Sequence, residues 1–179
     1  MVYVAFVFDV YSRQILGWRA ATNMRKELVL DALEMAVWTR ARDGVTDLTG
    51  LVHHTDAGSQ YTSIKFTERL AEAGAAPSVG TVGDAYDNAL AESEIGLYKT
   101  ELIKLHGPWR SIDQVELRTL EWVDWHNHRR LHSACYDLPT SRLRKDQLRS
   151  TERPANRCTL NNLSLRTHRG GSNFHTQKT

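Results

Sequence analysis

The sequence predicts an α/β fold, a mixed sheet flanked by helices. Two observations lead there. Strand-like and helix-like segments follow one another in the order strand, strand, helix, strand, helix, strand, helix, helix. The first strand is also apolar on both faces, with Val2, Val4, Phe6 and Phe8 interleaved by Tyr3, Ala5 and Val7. Such a strand needs a layer on each side.

Each element has its own signal. Asp9-Val10-Tyr11-Ser12-Arg13 carries turn chemistry, and Ile15–Ala21 returns as the second arm of a hairpin. Asn23 is the expected cap of a helix over 24–42, with Leu28, Ala32, Leu33, Ala36 and Val37 on one face. A short strand, 51–54, runs into Thr55-Asp56-Ala57-Gly58-Ser59. A helix over 63–73 turns Phe66 and Leu70 inward and stops at Gly74. Residues 76–79 form another short strand. Asp87 or Asn88 caps a helix over 88–105. Ser111-Ile112-Asp113-Gln114 is a capping box opening a long helix to about residue 130, whose inner face carries Val115, Trp122 and either Thr119 or Val123. There is no internal repeat.

Of the 179 residues, 41% are hydrophobic and 25% charged, enough to form a core and too apolar for wholesale disorder. There is no apolar run of membrane-spanning length, and Met1 leads straight into a strand, so the expectation is a cytoplasmic protein with no membrane partner. Two cysteines 23 positions apart make neither a disulfide framework nor a zinc ribbon. The net charge of +2 divides unevenly, −4 over residues 1–100 and +6 over 101–179. A basic half attracts polyanions, nucleic acid foremost, although charged runs also serve as ordinary solvated faces. Residues 141–179 hold nine Lys or Arg and only eight apolar residues, and read as a basic, mostly disordered tail with a short helix at 141–148.

The carboxylates carry most of the chemical information. Asp56 follows an apolar strand, where α/β sheets present side chains to ligands. Gly58 permits close approach, and Ser59 and Gln60 can position phosphate. Alone, Asp56 reads first as a turn cap. Glu92 lies near a helix start with Lys99 two turns on along the same face. Two such acids can hold a hard divalent cation, and the lysine can reach a phosphate. An exposed helix face is the plain alternative.

Four stretches carry a family resemblance: Phe8-Asp9-Val10-Tyr11-Ser12-Arg13-Gln14-Ile15-Leu16-Gly17-Trp18, His53-His54-Thr55-Asp56-Ala57-Gly58-Ser59-Gln60-Tyr61, Gly83-Asp84-Ala85-Tyr86-Asp87-Asn88-Ala89-Leu90-Ala91-Glu92-Ser93, and Asn127-His128-Arg129-Arg130-Leu131-His132-Ser133. They resemble the catalytic core of DDE transposases and retroviral integrases, of ribonuclease H-like fold, and most of all the second-frame transposases of bacterial insertion sequences. The resemblance implies that residues 1–140 are an integrase-type core. It makes Asp56 and Glu92 the second and third acidic metal ligands and Lys99 a contact to the DNA end. It further implies two Mg²⁺ (or Mn²⁺) ions, phosphoryl transfer on transposon ends and target DNA, and a homo-multimer on DNA.

In the family a first acid sits on a central strand upstream of the strand that begins here. The expectation is therefore an N-terminally truncated core that lacks that strand and that ligand, and is inactive in this copy. Asp9 reads as a turn residue rather than a substitute. Beyond Pro139 the sequence departs from the family, which suggests a shifted reading frame near Thr140. Arg129 and Arg130 either contact DNA phosphate or pair with acids on the core. His126, His128, His132 and Cys135 cluster, but no second ligand pair completes a metal site. Trp122 and Trp125 are expected in the core, and Cys135 and Cys158 unreactive. The competing functional reading is a non-catalytic DNA-binding remnant; a third is a nuclease of the same fold with a rearranged site.

Overall fold

The computed structural model of the chain describes residues 1–55, 64–79, 84–149 and 157–165; for 84–88 and 157–165 it describes the backbone. The elements are β1 (Val2–Asp9), β2 (Ile15–Ala21), α1 (Lys26–Arg42), β3 (Val52–Thr55), α2 (Ile64–Glu72), β4 (Ala76–Val79), α3 (Asp84–Tyr98), a π turn (Lys99–Ile103), α4 (Lys104–His106), α5 (Ile112–His128), a 3₁₀ turn (Ser133–Cys135), α6 (Thr140–Arg149) and β5 (Arg157–Leu165).

The strands form one mixed sheet in the order β2-β1-β5-β3-β4. β1 and β2 pair antiparallel, β5 lies antiparallel to β1, and β5, β3 and β4 run parallel. Pro77 sits in β4, an edge strand, where a residue without an N–H is tolerated.

The sheet is covered on both faces, as the double apolar pattern of β1 requires. Val2, Val4, Phe6 and Phe8 pack with Ala91, Ile95, Tyr98, Val115 and Trp122 of α3 and α5. Ala5 and Val7 pack with Leu28, Ala32, Leu33, Phe66 and Leu70 of α1 and α2. At Gly17 the helix above comes so close that a Cβ would lie 2.1 Å from the Ala32 carbonyl oxygen. Glycine is required there by space, since no side chain fits between β2 and α1.

Several boundaries differ from the sequence expectation. The helix expected from Asn23 begins at Lys26 with Arg25 at its N-cap, and no side chain caps it. The helix expected from 88 starts at Asp84 and continues through the π turn, whose extra residue per turn begins at Lys99. Ser111 does cap α5, accepting from the Gln114 N–H at 3.3 Å, while Gln114 reaches back to the Arg110 N–H at 3.0 Å. On α5 both Thr119 and Val123 are buried. Trp122 is buried, but Trp125 is 37% exposed and so lies at the core's edge.

The short helix expected at 141–148 is present; the larger difference is a strand at 157–165, in a tail expected to be mostly disordered, and a filled central position in the sheet, where a strand was expected to be absent. Residues 140–149 form α6, and 157–165 form β5, which occupies the middle of the sheet between β1 and β3. Eight residues of β1 and four of β3 pair with it. The physical reason is unmet demand. β1 is buried at every residue but Tyr3, and its outward N–H and C=O groups need a partner that water cannot supply there. α6 lacks an apolar stripe because its inner face is polar. Arg144 is 2% exposed and donates to Asp9 Oδ2 at 2.8 Å, beside Gln147.

The hairpin turn is braced from the same side. Asp9 Oδ1 accepts from the Tyr11 N–H at 3.2 Å, the turn role expected for this residue, and its other oxygen is taken by Arg144. At the register shift between Val7 and Phe8, the Asn127 side chain serves both peptide groups of Ile15, accepting from N–H at 3.0 Å and donating to C=O at 2.9 Å.

Candidate active site

Asp56, Ser59 and Gln60 lie outside the described residues. β3 ends at Thr55, so the strand delivers the chain to Asp56 from the sheet's interior. α3 crosses above β3 and β5. Its rotation is set by the stripe Ala91, Ile95, Tyr98 and Leu102, which is buried, and that leaves Glu92 exposed on its flank. Lys99, seven residues on, is half-buried at the start of the π turn.

The structure separates the cluster of histidines. His128 points to solvent and pairs with Asp124 at 3.2 Å. His126 and His132 turn inward, where they meet Glu94, a residue that the sequence reading passed over. Its signal was available: two residues beyond Glu92, a helix places it on the opposite side, next to the buried stripe. Glu94 is 1% exposed. Its Oε2 accepts from His126 Nε2 at 3.0 Å, and Arg13 stands 3.6 Å from its other oxygen. His132 stacks edge-on against His126 with ring centroids 4.5 Å apart, and its Nε2 donates to the His126 carbonyl at 3.3 Å.

Burial pushes the Glu94 carboxyl upward, but the His126 hydrogen bond and the nearby His126, His132 and Arg13 charges outweigh it, leaving it below the usual range. Burial, with the neighbouring His126, lowers the His132 imidazole. One ligand atom from each of Glu94, His126 and His132 lies within 4.8 Å of the others. The arrangement is nevertheless a closed hydrogen-bond clamp. The Glu94 oxygens already face His126 and the Arg13 guanidinium, and a cation among them would meet that positive charge. What the clamp does is fasten α3 to α5 and to the hairpin turn.

The two arginines after α5 both pair with acids. Arg129 holds Asp124 at 2.6 Å on the surface. Arg130 is mostly buried, pairs with Glu101 and lies over the Trp125 ring at 5.4 Å. Glu101 also accepts from Trp122 Nε1 at 3.2 Å. Cys135 is fully buried, and burial raises its thiol above the ordinary range, so it is a poor nucleophile. The side chain of Cys158 is outside what is described. Among the described residues no helix is long and apolar enough to cross a membrane.

Comparison with known proteins agrees with this architecture. Residues 1–85 and 73–139 each match the integrase core domain family. Over 153 residues the chain is 61% identical to the protein of Mycobacterium tuberculosis (strain ATCC 25618 / H37Rv) named as a transposase for insertion sequence element IS986/IS6110, covering 86% of this chain and 55% of that one. It is 52% identical over 130 residues to the transposase for insertion sequence element IS629 of Shigella sonnei, covering 73% of this chain and 42% of that one. The chain thus spans about half the length of the curated relatives it matches. Among solved structures it superposes on a chain of the simian T-cell lymphotropic virus intasome in complex with PP2A regulatory subunit B56 gamma, with TM-score 0.62 and 19% identity, covering 85% of this chain and 50% of that one. It also superposes on the HTLV-2 integrase catalytic core domain in complex with magnesium, with TM-score 0.55 and 14% identity, covering 79% and 84%. The fold is that of the ribonuclease H-like integrase cores, and the chain belongs to the integrase core domain family.

Proposed function

We propose that this chain is the catalytic-core portion of a transposase that cuts and joins DNA by metal-dependent phosphoryl transfer. The observation that carries the reading is the setting of Glu92, exposed on a helix that packs over β3, the strand that leads directly into Asp56. Both groups offer carboxylate oxygens alone, the donor type that hard divalent cations prefer. Asp56 and Glu92 would hold Mg²⁺ or Mn²⁺. Such ions activate a water or 3′-hydroxyl nucleophile and stabilise the leaving oxygen of a phosphodiester.

The remaining residues bind and position. Lys99 places a positive charge two turns along from Glu92, suited to a backbone phosphate. Ser59 and Gln60 supply neutral hydrogen bonds to the same strand. Arg129 sits in an exposed ion pair, which is worth little in water, so it can exchange Asp124 for a DNA phosphate. Arg130 is held by Glu101 and Trp125, and its part is to fix the end of α5. The retroviral neighbours include an intasome and a trimeric core. By the same logic we take the working form here to be a multimer on paired DNA ends, in the cytoplasm.

The central strand bears on activity. β5 runs beside β3, and residues 157–165 contain no Asp or Glu. With two acids in place of three, we propose that the chain by itself binds DNA but does not complete strand transfer. The test uses the purified chain, a labelled duplex carrying a terminal repeat, and Mg²⁺ or Mn²⁺. Expected are DNA binding that weakens steeply with salt and no joined product. Efficient joining by the chain alone, lost in Glu92→Gln, would overturn the inactivity while upholding the site. Failure to bind either DNA or divalent metal would overturn the whole reading.

A further inference from the structure

Arg40 lies in the last turn of α1 and is 2% exposed, one of the two largest fully buried side chains. Its Nε, Nη1 and Nη2 have no hydrogen-bond partner among the described residues, and no acid pairs with it. Beside it lies His53 of β3, 1% exposed, with both ring nitrogens likewise unpartnered. The two line a small pocket under α1 and α2 whose other walls are aliphatic, among them Leu33, Leu48, Leu51 and Leu70. That space, about 10 Å³ to the centre of a water-sized sphere, holds one small particle.

The donors are out of balance. A guanidinium offers five N–H groups and accepts nothing, while a neutral imidazole offers one N–H and one acceptor. Among the described residues no carboxylate or carbonyl oxygen is bonded to them. A buried charge without a partner is strongly destabilising, by several kcal/mol even after relaxation. Water could satisfy one or two donors but not the charge.

We propose that Arg40 and His53 form a buried binding site for a small inorganic anion of the halide class, chloride being the physiological candidate. The anion sits between the guanidinium and the imidazole and supplies the missing counter-charge. It thereby ties the end of α1 to β3, on the sheet face opposite α3, as a structural ligand with no part in the DNA chemistry.

The experiment measures thermal unfolding of the full chain at fixed ionic strength while chloride replaces gluconate, an anion too large for the space. Above the dissociation constant, Tm should climb by about 3–6 °C for each tenfold rise in chloride, the linkage expected for one site in a domain of this size. Bromide should act similarly and give an anomalous scattering peak beside Arg40 in a soaked crystal. Arg40→Met fills the same space without charge, and should abolish the halide dependence. Equal Tm in chloride and gluconate, or a water in place of the bromide peak, would overturn the proposal. So would an Arg40→Met chain more stable than the parent in chloride. Should Arg40→Met fail to fold, the bromide peak and the parent's halide dependence still decide the matter.

Discussion

Leu163→Pro tests whether the segment after Arg149 truly completes the sheet. Leu163 is near the middle of β5 and pairs with Val4, which is fully buried. Proline removes one N–H from the ladder and sets its ring against the neighbouring strand. The penalty in a helix interior is ~3 kcal/mol or more; Leu163 lies beyond the β3 pairing, which ends at Leu160, so the loss falls on the pairing with β1, and a similar size is expected there. A domain of this kind is stable by only ~5–15 kcal/mol, so the change takes roughly a fifth to three-fifths of the whole. With a urea m-value of ~2 kcal/mol/M, the unfolding midpoint falls by about 1.5 M. Tryptophan fluorescence reports it directly, because Trp109 and Trp122 are buried in the cluster that packs on β1. Ending the chain at Arg149 is more drastic. It strips partners from eight residues of β1 and four of β3, at ~0.5–1.5 kcal/mol net for each lost bond and more for each peptide group left dry. The cooperative transition should then disappear rather than shift. An unchanged midpoint in Leu163→Pro, or wild-type unfolding of the chain ended at 149, would refute the argument.

Gly17→Ala drives a Cβ to 2.1 Å from the Ala32 oxygen and 2.7 Å from the Ala36 nitrogen; since both are backbone, the loss should sit at the upper end of ~1–3 kcal/mol, seen as a lowered Tm. Arg144→Ala leaves Asp9 buried and unpaired and should lose ~3–5 kcal/mol in urea unfolding, whereas Asp9→Asn combined with Arg144→Met should recover a large part. Acid should weaken the fold through His53. Burial, then the charges of His54 and Arg40, push its imidazole down to about 3 from an ordinary 6.5. Above pH 6.5 both states are neutral and stability is full. Below it the unfolded chain takes up a proton that the folded chain refuses until about 3, so stability falls with pH, by about 2 kcal/mol between 6.5 and 5. Measured in gluconate buffer, His53→Leu should flatten that limb; a parent slope retained by the variant would assign it elsewhere.

The legible parts of the fold were those where one segment's own pattern decides its state. Alternation on β1 gave a doubly covered strand, and the Leu28–Val37 stripe gave the buried face of α1. The helix at 141–148 was legible and stands as α6, but the way it docks was not, and neither was β5. α6 docks through Arg144 and Gln147 to Asp9, a polar contact 135 residues away that no hydrophobic period reveals. β5 contains Asn161-Asn162 and no regular alternation; its state is dictated by the open flanks of β1 and β3, not by its own propensity. The spacing put Glu92 and Lys99 on one helix face, while a role for them at the site came only from the resemblance. Helix spacing put Glu94 beside the buried stripe, but its partners, His126 and Arg13, come from distant segments and could not be read from the sequence.

That closure gives the candidate site its rigidity. A helix held only by an apolar stripe can roll by tens of degrees without losing its burial, and Glu92 on its flank would move with it. Glu94 removes that freedom, because its carboxylate is fixed at one end by His126 of α5 and at the other by Arg13 of the hairpin turn. Asn127, next to His126, is itself fixed to the backbone of Ile15. The hairpin, α5 and α3 are therefore locked in a single polar frame, and Glu92 stands exposed on the flank of α3. Removing the clamp with Glu94→Gln should leave the apolar core in place yet loosen the first turns of α3. Amide exchange at Ala91–Ile95 would rise while exchange in β1 stays slow. If both rise together, the clamp is ordinary core support; if neither rises, the apolar stripe alone sets the helix.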